Sequence, residues 1–152
     1  IVLKPLTYMN ESGQAVGAAM RYYKLEPADV FVFHDELDLA AGKVRAKRGG
    51  GNAGHNGLKR IDFHIGHDYW RIRLGIGHPG DRNRVTGHVL KDFSKADRPW
   101  VEKMVQAVTD ATPLLLAGKE ADFMTRVALL TQPAKPKNSA PDKAKPKTED
   151  EP

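Results

Sequence analysis

A cluster of ionisable residues directly follows an apolar run in the first third of this sequence. The apolar run is residues 30–33, and the cluster is His34-Asp35-Glu36-Leu37-Asp38, which holds one imidazole and three carboxylates. In open α/β sheets, binding and catalytic sites form at the carboxyl ends of buried strands. The cluster therefore suits either a carboxylate that orients a base or a metal site. The alternative is a solvated acidic turn.

A glycine-rich segment farther along the chain is able to close over an anion. Five of the nine residues from 49 to 57 are glycine, and His55 and Asn56 lie among them with side chains that can face a ligand. Residues 43–60 include six positive residues and no acidic one. A flexible segment flanked by cations suits a polyanion such as nucleic acid. It matches neither the phosphate-loop motif nor the dinucleotide fingerprint, so an ordinary surface loop is the alternative.

Composition limits the class of protein. The chain has 152 residues, of which 40% are hydrophobic, and this suits one domain with a core. Its formal net charge is +5, and the absence of cysteine excludes disulfides and thiolate metal sites. No apolar run approaches the roughly 20 residues needed to cross a bilayer. We therefore expect a cytoplasmic protein with no membrane partner.

Alternating strand and helix patterns predict an α/β domain that would position these residues. Apolar runs and period-two alternation predict strands at residues 2–8, 30–33, 43–47, 69–76 and 85–90. Helical spacing of apolar residues predicts helices through residues 15–23, 54–65, 95–117 and 120–130. The continuous apolar run at 30–33 is expected to be a buried central strand. The strand at 43–47 is expected to be half-exposed and antiparallel to its neighbour.

The composition changes at Pro133. Residues 133–152 contain five lysines, four acidic residues and five prolines, but no large apolar side chain. Such a segment cannot bury enough apolar area to offset the entropy of ordering, so we predict that it is disordered. The folded domain is accordingly predicted to comprise residues 1–132.

Four motifs occur along the chain in a fixed order: Tyr8-Met9-Asn10-Glu11-Ser12-Gly13, His34-Asp35-Glu36-Leu37-Asp38, the glycine-rich segment through Leu58, and Gly75-Ile76-Gly77-His78-Pro79-Gly80. Together they resemble the motifs of bacterial peptidyl-tRNA hydrolase. The resemblance implies a single α/β domain with a mixed β-sheet sandwiched between helices. It also implies hydrolysis of the ester between a peptide and the 3′ ribose of tRNA, which recycles tRNA released prematurely from ribosomes. It implies no metal and no other cofactor.

The resemblance assigns catalytic roles to three residues. Asp35 matches the carboxylate that orients and charges the catalytic histidine. Asn10 and Asn56 match amides that bind the end of the substrate and position the water or the developing oxyanion. These roles agree with general chemistry, because ester hydrolysis needs a positioned water, a base and donors aimed at the oxyanion.

The resemblance also assigns substrate contacts. Tyr8 matches an aromatic position beside the tRNA 3′ end, and Met9 and His55 line the same crevice. Arg45 and Arg73 match basic positions near the tRNA phosphate. Arginines on adjacent strands can hold phosphates through two parallel hydrogen bonds.

One departure from the family pattern concerns the catalytic base. The family's histidine base lies in a first strand and following loop, ahead of the segment at which this chain begins. None of the six histidines here occupies that place, and the chain opens on Ile1 in what resembles a strand already under way. We therefore expect the chain to be truncated at its N-terminus, with Asp35 lacking an imidazole, and to be inactive by itself.

Two other interpretations stay open. An RNA-binding relative of the same fold could lack catalysis, although such a binder has no physical need for the Asp35 carboxylate. A nucleotide-binding α/β domain with a glycine loop is the third interpretation, and the lack of a standard phosphate motif argues against it. We expect the partner to be peptidyl-tRNA, bound through its 3′ end and phosphates, and the protein to be a monomer.

Overall fold

The computed structural model describes residues 1–133, so the predicted tail at 133–152 lies outside the described residues except for Pro133. The helices are α1 (Ser12–Tyr23), α2 (Asn56–Ile65), α3 (Val85–Leu90), α4 (Arg98–Leu116) and α5 (Glu120–Thr131). The strands are β1 (Phe31–Glu36), β2 (Val44–Arg48) and β3 (Trp70–Gly75). None of these helices combines the length and the apolar character needed to cross a membrane.

The three strands form one mixed sheet in the order β1-β3-β2. Strand β1 pairs in parallel with β3, whereas β2 pairs with β3 in antiparallel orientation. The predicted antiparallel pairing of the basic strand is therefore confirmed. The expectation of a central strand at 30–33 is wrong for residues 1–133, because β3 takes the central place and β1 lies at the edge. A continuous apolar run indicates burial, but it does not specify which strand has two neighbours.

Helices cover both faces of the sheet. Helices α4 and α5 pack on one face, where Ile72 of β3 and Phe123 of α5 are completely buried. Helices α1 and α2 pack on the other face around Leu58, Ile61 and Tyr69. The predicted mixed α/β domain, with its sheet sandwiched between helices, is thus confirmed.

Helices α1 and α2 approach each other closely because glycine lies at their contact. A side-chain carbon on Gly13 would collide with the carbonyl oxygen of Arg60 on α2. One turn later, a side-chain carbon on Gly17 would lie 3.3 Å from the flexible tip of Arg21 and 3.6 Å from His64. A larger residue is therefore excluded at Gly13 by backbone atoms. At Gly17 it would meet side chains, the nearest of which can move.

Two predicted strands are wrong. Residues 2–8 form no strand, and the side chains of Val2 and Leu6 are 99% and 96% exposed instead of packed against a sheet. Pro5 also lacks the N–H that a ladder requires. Val85–Leu90 is helix α3, because the Asp81 side chain accepts the Asn83 N–H and starts a short turn that Val85 continues in helical conformation. This local turn outweighs the strand preference of the valines.

Candidate active site

Asp35 lies near the carboxyl end of β1, where it is bound to an imidazole. The Nε2 atom of His55 lies 2.9 Å from Asp35 Oδ1. This hydrogen bond lowers the pKa of Asp35 below its usual value, so the group is a carboxylate at neutral pH. The expectation that Asp35 has no imidazole partner in this chain is therefore wrong. The two residues are 20 positions apart, and only the folding of α2 against the sheet brings them together.

His55 uses both of its ring nitrogens. Its Nδ1 accepts hydrogen bonds from the backbone N–H groups of Gly57, at 3.1 Å, and Leu58, at 3.2 Å, and so caps α2. Because Nδ1 accepts, the ring proton is on Nε2 and is donated to Asp35. His55 thus fixes the carboxylate and the start of α2 relative to each other. In this arrangement it has no free lone pair with which to take a proton from water.

A second imidazole adjoins the first. His34 is 8% exposed, and its ring meets that of His55 edge to face at a centroid distance of 5.3 Å. Its Nδ1–H donates to the carbonyl oxygen of Asp35 at 2.7 Å, which leaves Nε2 as an acceptor. Burial lowers the pKa of His34, so the ring is neutral at physiological pH. Within residues 1–133, the buried Nε2 has no hydrogen-bond partner.

A cavity of about 130 Å³ lies beneath the glycine loop, which comprises residues 49–54. Its lining residues outside the loop are His34, Glu36, Lys47, Leu58, Arg71 and Arg73. Arg71 is 2% exposed, and its Nε and Nη1 atoms have no partner among the described residues. A buried guanidinium with unmatched donors is costly unless an acceptor reaches it. The cavity therefore has the charge and the free donors to hold an anion.

Arg73 and Arg45 occupy neighbouring strands. Their Cα atoms are partners in the β2–β3 register, so the two side chains project from the same face of the sheet. Arg73 Nε donates to Glu36 Oε2 at 2.9 Å. Burial alone would raise the pKa of Glu36, but the hydrogen bonds from Arg73 and from the Asp38 N–H bring it below its usual value. Glu36 thereby balances one cation of this face and leaves Arg45 and Lys47 for a ligand.

The first predicted motif contacts the start of α2. Met9 lies in a short turn, Met9–Glu11, and a side-chain carbon on Gly57 would be 2.7 Å from the Met9 sulfur. Tyr8 is 81% exposed, and Asn10 and Asn56 are also exposed. The structure thus brings Met9 to the helix start that carries Asn56. No hydrogen bond joins Asn10 to Asp35 within residues 1–133.

Most of the residues that line the cavity were assigned no role from the sequence. His34 and Arg71 are buried in the cavity wall, and Lys47 lies on the same sheet face. A signal was present, because Arg71 and Arg73 share one side of a strand whose other side is apolar. A buried row of cations on a strand indicates an anion site or an ion-pair network. The sequence does not show which of the two applies.

The fold and the site define an α/β protein with a carboxylate–imidazole pair at a strand end, next to a cation-lined cavity. A family model described as peptidyl-tRNA hydrolase matches residues 1–137. The chain therefore belongs to the peptidyl-tRNA hydrolase family, as the four motifs predicted.

Individual relatives agree with this assignment. The peptidyl-tRNA hydrolase of Rhodospirillum centenum is 58% identical over 135 residues, which cover 89% of this chain and 60% of that protein. The peptidyl-tRNA hydrolase of Acidiphilium cryptum is 65% identical over 133 residues, which cover 87% of this chain and 69% of that protein. A crystal structure of peptidyl-tRNA hydrolase from Acinetobacter baumannii superposes with a TM-score of 0.75 at 40% identity. This superposition covers 81% of this chain and 63% of the Acinetobacter chain.

The chain thus spans about three fifths of the Rhodospirillum and Acinetobacter proteins. The family match begins at residue 1 and therefore lends no support to the expectation of a segment missing before Ile1.

Proposed function

We propose that the whole protein hydrolyses the ester bond between a peptide and the 3′ end of tRNA. The observation that carries this proposal is the hydrogen-bonded pair of Asp35 and an imidazole beside a cation-lined cavity. The Asp35 carboxylate of this pair supplies the means to orient a base, and the cavity supplies the means to bind a polyanion. Family membership supports the same reaction.

In this proposal Asp35 is the residue that orients the histidine base. The hydrogen bond with His55 uses Oδ1, and 38% of the Asp35 side chain is exposed, so Oδ2 can accept an N–H from a second imidazole. That imidazole would take a proton from water as the water oxygen attacks the ester carbonyl. The imidazolium that forms would be stabilised by the Asp35 carboxylate, and its proton would pass to the departing ribose oxygen.

Asn10 and Asn56 are assigned the developing oxyanion and the substrate end. Both side chains are exposed, and Asn56 begins α2 directly after His55. Neutral amide donors held beside a reacting carbonyl lower the energy of the charge that appears in the transition state. Tyr8, Met9 and His55 would form the adjoining surface for the tRNA 3′ end. The contact between Met9 and the start of α2 supports this assignment.

The cation-lined cavity is assigned a tRNA phosphate. Arg45 and Arg73 were expected to lie near this phosphate. Arg73 lines the cavity together with Lys47 and Arg71, and Arg45 lies beside Arg73 on the same face of the sheet. A phosphate oxygen there could accept from the free Nε and Nη1 of Arg71.

The proposed function is tested by incubating the whole protein with purified peptidyl-tRNA and measuring peptide release. Aminoacyl-tRNA with a free amine and a small peptidyl ester serve as comparison substrates. We expect rapid release from peptidyl-tRNA. If the folded protein binds tRNA with the expected salt dependence but releases no peptide, the RNA-binding alternative replaces the hydrolase.

Residues 1–152 by themselves are expected to hydrolyse peptidyl-tRNA at about 1% or less of the rate of the whole protein, the order of a general-base contribution. The reason is the state of the two imidazoles near Asp35. His55 has both nitrogens engaged, and the free nitrogen of His34 is buried. The measurement is peptide release, after circular dichroism has shown that the chain is folded. Turnover near that of the whole protein would mean that His34 or His55 acts as the base, and His34→Gln and His55→Gln would then identify which.

Arg45→Ala and Arg73→Ala are expected to weaken tRNA binding and to reduce the slope of log affinity against log salt by about 1 for each lost phosphate contact. Cleavage of a small peptidyl ester without the tRNA body should stay near normal. Arg126→Ala is the matched control, since it removes an exposed arginine from α5, on the opposite face of the sheet. An unchanged salt slope in both test variants would place the phosphate path elsewhere.

A further inference from the structure

One buried carboxylate joins three parts of the site. The Asp62 side chain on α2 is 6% exposed. Its Oδ1 accepts hydrogen bonds from the Tyr69 hydroxyl and from Arg71 Nη2, each at 2.8 Å. Its Oδ2 accepts from the side-chain amide of Asn52, at 3.1 Å, and lies 3.4 Å from Nδ1 of His67. Helix α2, the start of β3 and the glycine loop therefore converge on one side chain.

Asn52 transmits this contact to the rest of the glycine loop. Its side-chain oxygen accepts the Gly54 N–H at 3.2 Å, and its backbone carbonyl accepts the His55 N–H at 2.8 Å. With the amide donated to Asp62, Asn52 uses its side-chain donor, its side-chain acceptor and its backbone acceptor. Two of these bonds hold the backbone at Gly54 and His55. His55 in turn caps α2 and binds Asp35.

We propose that the Asn52–Asp62 hydrogen bond is a latch that sets the position of the glycine loop, so that both are positioning residues for the catalytic site. The inference rests on the proposed function for its catalytic consequence. Neither residue is assigned a contact with substrate. Their effect passes through His55 and Asn56, whose place at the start of α2 depends on the loop that precedes them.

The anchor of the latch is well suited to hold one position. Burial, reinforced by the hydrogen bond to Asp62, raises the pKa of the Tyr69 hydroxyl well above its usual value, so this donor keeps its proton at any physiological pH. Tyr69 is fully buried, and Arg71 is 2% exposed. The loop that this anchor holds has an unusual backbone, since Gly49, Gly50, Ala53 and Gly54 all have positive φ. Ala53, at φ 46°, is held in a conformation that L-residues seldom adopt.

The chemistry of the pair provides a sharp test. In Asn52→Asp a carboxylate replaces the amide that donates to Asp62, so two carboxylates face each other and the latch is broken. Adding Asp62→Asn to this variant restores a donor–acceptor pair with the polarity reversed, while Tyr69 and Arg71 keep an oxygen to which they can donate. Asp68→Asn is the matched control, because Asp68 is an exposed carboxylate that pairs with Arg48 instead of the loop side chains.

The first readout is backbone amide hydrogen exchange in the whole protein. Asn52→Asp is expected to speed exchange at Gly54 and His55 by about 10-fold or more, the scale of one charge-assisted hydrogen bond. In the double variant, Asn52→Asp with Asp62→Asn, both amides should return toward the wild-type exchange rate. Asp68→Asn should leave their exchange rates unchanged. The latch is overturned if amide exchange in the loop is unchanged in Asn52→Asp, or if the exchange rate does not recover in the double variant. If Asn52→Asp does not fold, Asn52→Ala removes the bond without repulsion and is held to the same expected increase.

The second readout is the hydrolysis itself. Asn52→Asp is expected to lower kcat by about 10-fold or more with a smaller change in KM, because misplaced catalytic groups slow the chemical step more than binding. The double variant should recover the wild-type kcat. Normal kcat in a variant whose loop exchanges faster overturns the positioning role. If the wild-type protein releases no peptide, the proposed function fails, and the exchange experiment still decides whether the latch exists.

Discussion

Replacement of Asp35 by asparagine is expected to lower the rate of peptidyl-tRNA hydrolysis by the whole protein about 10²-fold or more, in line with the loss of an oriented general base. Asparagine keeps the shape of the side chain but loses its negative charge. The imidazolium that forms next to it during the reaction would then have no counter-charge, and the amide group would present a donor where an acceptor is needed. Binding of tRNA should change little, since Asp35 lies outside the cation-lined cavity.

The measurement is kcat and KM for peptide release, together with tRNA affinity at one fixed salt concentration. Asp38→Asn is the matched control, because it neutralises an exposed carboxylate of the same acidic cluster. We expect Asp38→Asn to retain most of the activity. Full activity of a correctly folded Asp35→Asn variant would falsify the role of Asp35.

Substitution of Gly13 by alanine is expected to have the largest effect on stability. The added carbon meets the carbonyl oxygen of Arg60, which belongs to the backbone of α2 and cannot turn aside as a side chain can. Helices α1 and α2 would have to separate, and overpacking of this kind costs about 1–3 kcal/mol or more. We expect a fall in melting temperature of about 5 °C or more.

Gly17→Ala provides the comparison on the same helix. Its nearest contact is the tip of Arg21, which can move, so the helical preference of alanine over glycine, about 1 kcal/mol, should prevail. The melting temperature should therefore stay level or rise. Thermal unfolding of both variants by circular dichroism tests the pair. Equal melting temperatures for Gly13→Ala and wild type would show that α1 and α2 are not in the close contact described.

The parts of the fold that depend on local pattern could be predicted from the sequence. The alternation of Arg71, Ile72 and Arg73 identified both β3 and its two faces. The glycine-rich segment was expected to end where a helix begins, and α2 starts at Asn56. Family motifs identified Asp35, although its roles and those of Asn10 and Asn56 stay predictions.

The parts that depend on distant contacts could not be predicted. No periodicity links Asp35 to His55, because their hydrogen bond is a product of how α2 docks on the sheet. The same holds for Asp62, which reads as an ordinary polar residue in a helix but is buried by Tyr69 and Arg71. At Val85–Leu90 the sequence permits a strand or a helix, and the local turn before Val85 favours the helix.

The parallel pairing of β1 with β3 has a consequence for the order in which the protein folds. Arg73 and Glu36, which meet across this pair, are 37 residues apart in the chain, whereas α4 and α5 are joined by a short connection. The entropy of closing a loop rises slowly with length, by about 0.6 kcal/mol per doubling, but it is lost before any contact across the loop forms. Helices α4 and α5 can therefore associate early, while the cation-lined cavity forms only when β1 and β3 meet. In refolding of the complete chain, helical structure would thus form before the cation-lined cavity does.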